Sequence, residues 1–292
     1  MLQGSLFSAR QSNPSVASLE LWSRELRLGI LKQIQQVHHT KPIPECLLSP
    51  VGHQDSSCLD RHSPRSSSSP IVYCLWLLPS SSDCEHLSVQ IKTLAGRAPP
   101  ESPSPEFDPH VTFLSGMSLD TDVEVLKHAV QQGLRLWSRY KASDNKALDN
   151  SQSRQIELSL EEPINGGSFY TAMIYPVEQS SSGSAGDETA FDRLISGRSI
   201  LESLLSSFYP PRSPGFSPKP YFPHLSLQYS SMDKSDLDPL KREFVKFEKA
   251  QGRLPSKVTI DRCALMHLEG EVPQWKTVKV FRLDGQETET SS

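Results

Sequence analysis

Two histidines in this chain stand in the same local setting. Phe107-Asp108-Pro109-His110-Val111-Thr112-Phe113 and Tyr221-Phe222-Pro223-His224-Leu225-Ser226-Leu227 share one pattern: aromatic, any residue, Pro, His, apolar, hydroxyl, apolar. With 23 prolines and 9 histidines in 292 residues, composition gives about 0.7 Pro-His dipeptides by chance, and requiring both apolar flanks and the hydroxyl lowers that to about 0.02. The repeat is therefore not noise. In a strand, successive side chains point to opposite faces, so His110 shares a face with Thr112, and His224 shares one with Ser226. A single copy would read as an ordinary half-buried strand histidine. Two copies in matched positions point to one cleft on a pseudo-two-fold axis.

Two imidazoles that titrate near neutrality can take a proton on one side of a reacting phosphorus and deliver one on the other. Two hydroxyls beside them can donate to the non-bridging oxygens, where charge accumulates. That set suffices to hydrolyse a cyclic phosphodiester without a metal, and the chain contains no H-E-x-x-H motif, P-loop or dinucleotide glycine fingerprint. No cofactor and no metal site is expected.

Each histidine follows a proline-rich loop, Pro99 to Pro109 and Pro210 to Pro223, and a proline belongs at a strand's first position or edge. Both histidines are thus expected near strand starts, where a cleft can open. The elements around them repeat in order. The apolar run Ile71 to Leu78 predicts a buried strand, followed by a helix through Leu87, Ile91 and Leu94 and then the first motif strand. A helix is expected over Asp122 to Tyr140, with Val123, Leu126, Val130, Leu134 and Trp137 on one face. A hairpin of Gln155 to Leu160 with Ser168 to Val177 should turn through Asn165, Gly166 and Gly167. After the Ser/Gly loop Ser180 to Gly186 come a helix around Phe191 to Phe208, the second motif strand and a helix from Asp236 to Ala250. Strands Lys257 to His267 and Trp275 to Leu283, joined by the Glu269 to Pro273 turn, close the sequence. Helices and strands thus alternate in two similar halves, with the two motifs expected to share one cleft.

Residues 1–69 differ in kind. Leu19, Trp22, Leu26, Ile30, Ile34 and Val37 recur at helical spacing, and a Pro-, Ser- and His-rich stretch follows, ending in Ser66 to Ser69. The organisation expected is an extension over 1–69 (one amphipathic helix, then a disordered linker), a domain over 70–285 and a disordered tail over 286–292. The helix mixes Glu20 and Glu25 with Arg24 and Arg27, which favours docking on protein over docking on a membrane. Charges nearly balance, 30 basic against 34 acidic, which argues against binding long nucleic acid through its phosphates but leaves room for a small anion. Five cysteines without a C-x-x-C pair suggest a reducing compartment, and no apolar run is long enough to span a bilayer. The histidines and cysteines of the extension, His38, His39, His53, His62, Cys46 and Cys58, are too scattered to suggest a metal site. His86, His128 and His267 have no repeated partner.

The paired motifs resemble those of the 2H phosphoesterase superfamily, and their surroundings look most like its fungal and plant 2′,3′-cyclic-nucleotide 3′-phosphodiesterases. Pro223-His224-Leu225-Ser226-Leu227-Gln228-Tyr229 is similar to the family's P-H-L-S-L-x-Y element. Gly167-Ser168-Phe169-Tyr170 and Trp275-Lys276-Thr277-Val278 are similar to its other recurrent stretches. The resemblance covers about Ile71 to Leu283. It implies a bilobal α+β fold, His110 and His224 as the acid/base pair, and Thr112 and Ser226 as phosphate ligands. It also implies Tyr229 as a contact near the phosphate or its attacking water, although a strand-end core tyrosine is the plainer reading of that residue. Phe169, Tyr170 and Trp275 would stack on a base or ribose, or else simply fill the core.

The activity implied is hydrolysis of nucleoside 2′,3′-cyclic phosphates to 2′-phosphates, with ADP-ribose 1″,2″-cyclic phosphate from tRNA splicing as a second substrate. The partner would be a small cyclic-phosphate nucleotide acted on by a monomer, in the cytoplasm or at the Golgi apparatus. Two alternatives remain open. One is a relative that processes RNA ends as a ligase or 3′ exonuclease, for which the main basic concentration is Lys241, Arg242, Lys246, Lys249 and Arg253, interleaved with Glu243 and Glu248, a pattern that reads as a solvated surface. The other is a nucleotide-binding module without catalysis.

Overall fold

The computed structural model of the chain describes residues 72–118, 120–140, 155–179, 189–209 and 221–288. The chain divides into two units, 1–65 and 66–292, and all of the first lies outside the described residues. The amphipathic helix expected around Leu19 to Val37, the Ser180 to Gly186 loop and most of the second proline-rich loop also lie outside them.

Among the described residues, the second unit has seven strands: β1 (Val72–Pro79), β2 (Val111–Met117), β3 (Ile156–Ser159), β4 (Met173–Pro176), β5 (His224–Gln228), β6 (Lys257–Leu268) and β7 (Lys276–Arg282). The described residues also form the α-helices α1 (Ser81–Ala95), α2 (Val123–Tyr140), α3 (Ala190–Leu204) and α4 (Lys234–Ala250). All strand pairs are antiparallel, in the order β3-β6-β1-β2-β5-β4, with β7 on β6. The α+β class expected from the sequence is the class observed. The two halves meet in one continuous sheet, joined at a single residue pair, Val111 with Leu225.

The expected hairpin takes a different form. β3 pairs along its length with β6, and it touches the β4 segment only through the isolated bridges Leu160–Val177 and Ile164–Ile174. Residues Phe169–Thr171, expected to be strand, form a 3₁₀ turn in which Phe169 and Tyr170 are exposed. With the aromatic rings outside the core, the alternation that normally reports burial has no meaning over this stretch. The bridges bring the end of β3 back to β4, so the order of strands returns towards its own start. Residues 286–288, where the tail was expected to begin, also pair back: Glu287 bridges Phe281, and the Thr288 hydroxyl donates to the Val280 carbonyl.

β1 is apolar on both faces because both are covered. Leu75 and Leu77 enter the main core with Val111, Phe113, Leu225 and Leu227, while Cys74 and Trp76 join Ala264 and Met266 in a smaller cluster. Helices α2 and α3 pack closely because Gly197 lies under the Trp137 ring. A Cβ there would come within 2.1 Å of the indole. Local signals set the helix starts. Ser80 caps α1 by accepting from the Asp83 N–H, and Thr189 and Asp192 form a reciprocal capping box at α3. Among the described residues, no helix is long and apolar enough to cross a membrane.

Candidate active site

The pairing of Val111 with Leu225 positions the site. Both side chains are fully buried in the main core. Strand alternation therefore turns their neighbours His110, Thr112, His224 and Ser226 towards the opposite face. Continued by one residue each way, this antiparallel register sets His110 opposite Ser226 and Thr112 opposite His224. Trp76 stands opposite Thr112 in the next ladder, on the same face.

His110 lies just before the first residue of β2 and is 1% exposed. Its Nδ1 is 2.6 Å from the Asp108 carbonyl, and because a carbonyl only accepts, Nδ1 carries the proton and Nε2 is the bare nitrogen. The Tyr229 hydroxyl, 3.1 Å away, donates to that Nε2. The ring lies flat against the Trp76 indole, with centroids 3.5 Å apart and planes 5° from parallel, and Phe107 meets it edge-on. Burial pushes the His110 imidazolium down to about 4; proximity to His224 adds to this, and the Asp108 carbonyl opposes it. At neutral pH His110 is uncharged.

His224 repeats the geometry. Its Nδ1 donates to the carbonyl two residues earlier, that of Phe222, at 2.9 Å, so its Nε2 is also the unprotonated nitrogen of the neutral ring. Burial lowers its pKa too, while the Phe222 carbonyl raises it. It is more exposed than His110. Both proline-rich loops thus end by fixing the same imidazole tautomer through the same i−2 carbonyl. Neither bond is visible in a sequence pattern.

Ser226 is buried, its hydroxyl donating over 3.4 Å to the Tyr170 carbonyl and lying beside the Tyr229 phenol. Thr112 is half-buried. Tyr229 is 3% exposed and stacks on Phe107 at 3.9 Å, and burial pushes its phenol well above the ordinary range. The structure therefore joins His110 and Tyr229 by a hydrogen bond and sets Ser226 beside the phenol, with Thr112 and His224 on the same face. From Tyr229 an aromatic wall runs outward through Tyr170, 5.4 Å away and edge-on, to Trp275, 6.0 Å beyond. Tyr170 is 46% exposed and Trp275 half-buried, so this wall is open to a ligand as well as part of the packing.

Several residues of the site escape sequence reasoning. Trp76 sits in an apolar run that reads as core, and only the stack on His110 gives it a further place. Phe107 and Tyr221 occupy the aromatic position of the two motifs, a signal without an assignable role until their contacts are seen. Among the described residues, no group of three His, Cys, Asp or Glu side chains converges as metal ligands. His86 bonds the Arg253 carbonyl, and His267 lies 3.6 Å from Glu269, both away from the motif side chains.

Residues 71–182 match the family described as cyclic phosphodiesterase-like protein. The matched segment contains His110 and Thr112 but ends before His224, Ser226 and Tyr229. No curated protein matches the chain. Among solved structures, Escherichia coli LigT complexed with 3′-AMP is similar at 12% identity, covering 73% of this chain and 98% of that one, with a TM-score of 0.35. Kluyveromyces marxianus Usb1 is similar at 15% identity over 73% and 97% of the two chains, with a TM-score of 0.37. The same protein with uridine monophosphate gives 14% identity, 74% and 98% coverage, and a TM-score of 0.36. At such scores these likenesses carry no weight for the site. Residues 71–182 are thus cyclic phosphodiesterase-like in sequence, and the second Pro-His-apolar-hydroxyl motif repeats the first outside the matched segment.

Proposed function

We propose that the chain hydrolyses nucleoside 2′,3′-cyclic phosphates to nucleoside 2′-phosphates, with the two histidines as general base and general acid and no metal in the reaction. The observation that carries this reading is the matched tautomer. Each Nδ1–H is tied to an i−2 carbonyl, which leaves each Nε2 as the nitrogen able to exchange protons. His110, held neutral by burial, is the base that takes a proton from water. His224, more open to solvent, is the acid that protonates the departing O3′ as the P–O3′ bond breaks. Thr112 and Ser226 donate to the non-bridging oxygens. Tyr229, which donates to His110 Nε2 in this structure, turns towards Ser226 when the attacking water takes its place and holds that water in line. The wall of Tyr170 and Trp275 suits a base stacked beside the ribose, and it supports ADP-ribose 1″,2″-cyclic phosphate as a further substrate.

The test is product analysis with the purified chain on the four nucleoside 2′,3′-cyclic phosphates and on ADP-ribose cyclic phosphate, in excess EDTA. The expected product is the 2′-phosphate. His110→Ala and His224→Ala should each lose on the order of 10²-fold or more in rate, and the double variant much less than the product of the two losses. Activity that vanishes with EDTA and returns with a divalent ion, or full activity in either variant, refutes the two-histidine mechanism.

A further inference from the structure

The two motifs are joined by very little backbone. β2 and β5 share one residue pair, and beyond Val111 no further pair of their ladder forms. Two side chains from elsewhere bind β2 just beyond that point. The Tyr221 hydroxyl, three residues before His224, donates to the Thr112 carbonyl at 3.1 Å. The Arg198 guanidinium, on α3, donates to the next carbonyl, that of Phe113. The same guanidinium lies 4.2 Å over the Tyr221 ring, and its Nε faces Glu202 at 3.9 Å. A loop leading to one motif and a helix outside both motifs therefore converge on two consecutive carbonyls of the other.

The first loop reaches across in the opposite direction but with different chemistry. Phe107 holds the position that corresponds to Tyr221, three residues before its histidine, and stacks on Tyr229 beyond the second motif. Phenylalanine has no hydroxyl, so this contact can slide within its stack. The Tyr221 contact is directional, and the cation held over its ring limits the ring's rotation.

We propose that Tyr221 and Arg198 are positioning residues that set the spacing between the two halves of the catalytic pair, an inference that rests on reading the motifs as one site. The split to be expected between kcat and KM follows from what each half does. Either motif can hold a phosphate oxygen in the ground state, but the transition state needs base and acid on opposite sides of phosphorus together. A displacement of about 1 Å between such groups can cost on the order of 10²-fold in rate. A brace that fixes their spacing thus acts on kcat far more than on KM.

Tyr221→Phe removes the hydroxyl and keeps the ring. In the full chain it should lower kcat on the order of 10-fold, with KM for a nucleoside 2′,3′-cyclic phosphate within about threefold of the parent and the melting curve close to it. Arg198→Ala should act in the same direction, and the double variant should lose less than the product, because both bonds hold one segment of β2. Imidazole nitrogen NMR signals, assigned by loss in His110→Ala and His224→Ala, provide a readout independent of turnover. In Tyr221→Phe the signals of both histidines should shift. Unmoved signals, an unchanged kcat, or a kcat loss that tracks a loss of thermal stability would each overturn the brace. If the parent turns over no substrate while both histidine signals still move, the phosphodiesterase reading fails and the brace stands.

Discussion

Burying a neutral imidazole ties the stability of the fold to pH, and His110→Gln should largely remove that tie. The ring is 1% exposed, flat against Trp76, and its pKa is pushed down to about 4. In the unfolded chain a histidine titrates near 6.5. Between those values the unfolded state binds a proton that the folded state refuses, so stability is full above about pH 6.5 and falls as the pH is lowered towards 4. At about 1.4 kcal/mol per unit, the full penalty is about 3 kcal/mol, and the part expressed between pH 7 and pH 4.5 is about 2 kcal/mol. Urea unfolding followed by far-ultraviolet circular dichroism, at both pH values, measures it. The parent should lose about 2 kcal/mol more than His110→Gln on acidification, since the carboxylates and His224 contribute to both proteins alike. Equal losses would mean that His110 takes up its proton in the folded state, and the assignment of this ring as the neutral base would fail with it.

Thr112→Ala and Ser226→Ala should each slow turnover on the order of 10 to 10³-fold, less than loss of a histidine, because in the proposed mechanism each removes one oxyanion donor. Steady-state rates with a cyclic nucleotide measure this. Gly197→Ala should destabilise the protein by about 1 to 3 kcal/mol, because its Cβ would meet the Trp137 indole at 2.1 Å and two packed helices would have to part; denaturant melts read it. Deletion of residues 1–69 should leave turnover near the intact level, since every site residue named above lies beyond them. A soluble, folded and inactive truncation would show that the extension completes the site.

The doubling of Pro-His-apolar-hydroxyl, and with it the four motif side chains, was legible in sequence because it rests on two local facts. Proline limits where a strand can start, and strand alternation sets which side chains share a face. The strands and helices of the body were legible for the same reason, being periodic and buried on a defined face. The Phe169 to Thr171 turn was not, because exposed aromatics imitate a strand's composition without its burial. Tertiary structure alone decided what joins the halves and how the site is held. The Val111–Leu225 pair, the Trp76 face on His110, the Tyr229 hydroxyl on Nε2 and the Tyr221 and Arg198 bonds to β2 all connect residues far apart in the chain. Such contacts leave no periodic trace, because each depends on where two separately specified elements come to rest against each other.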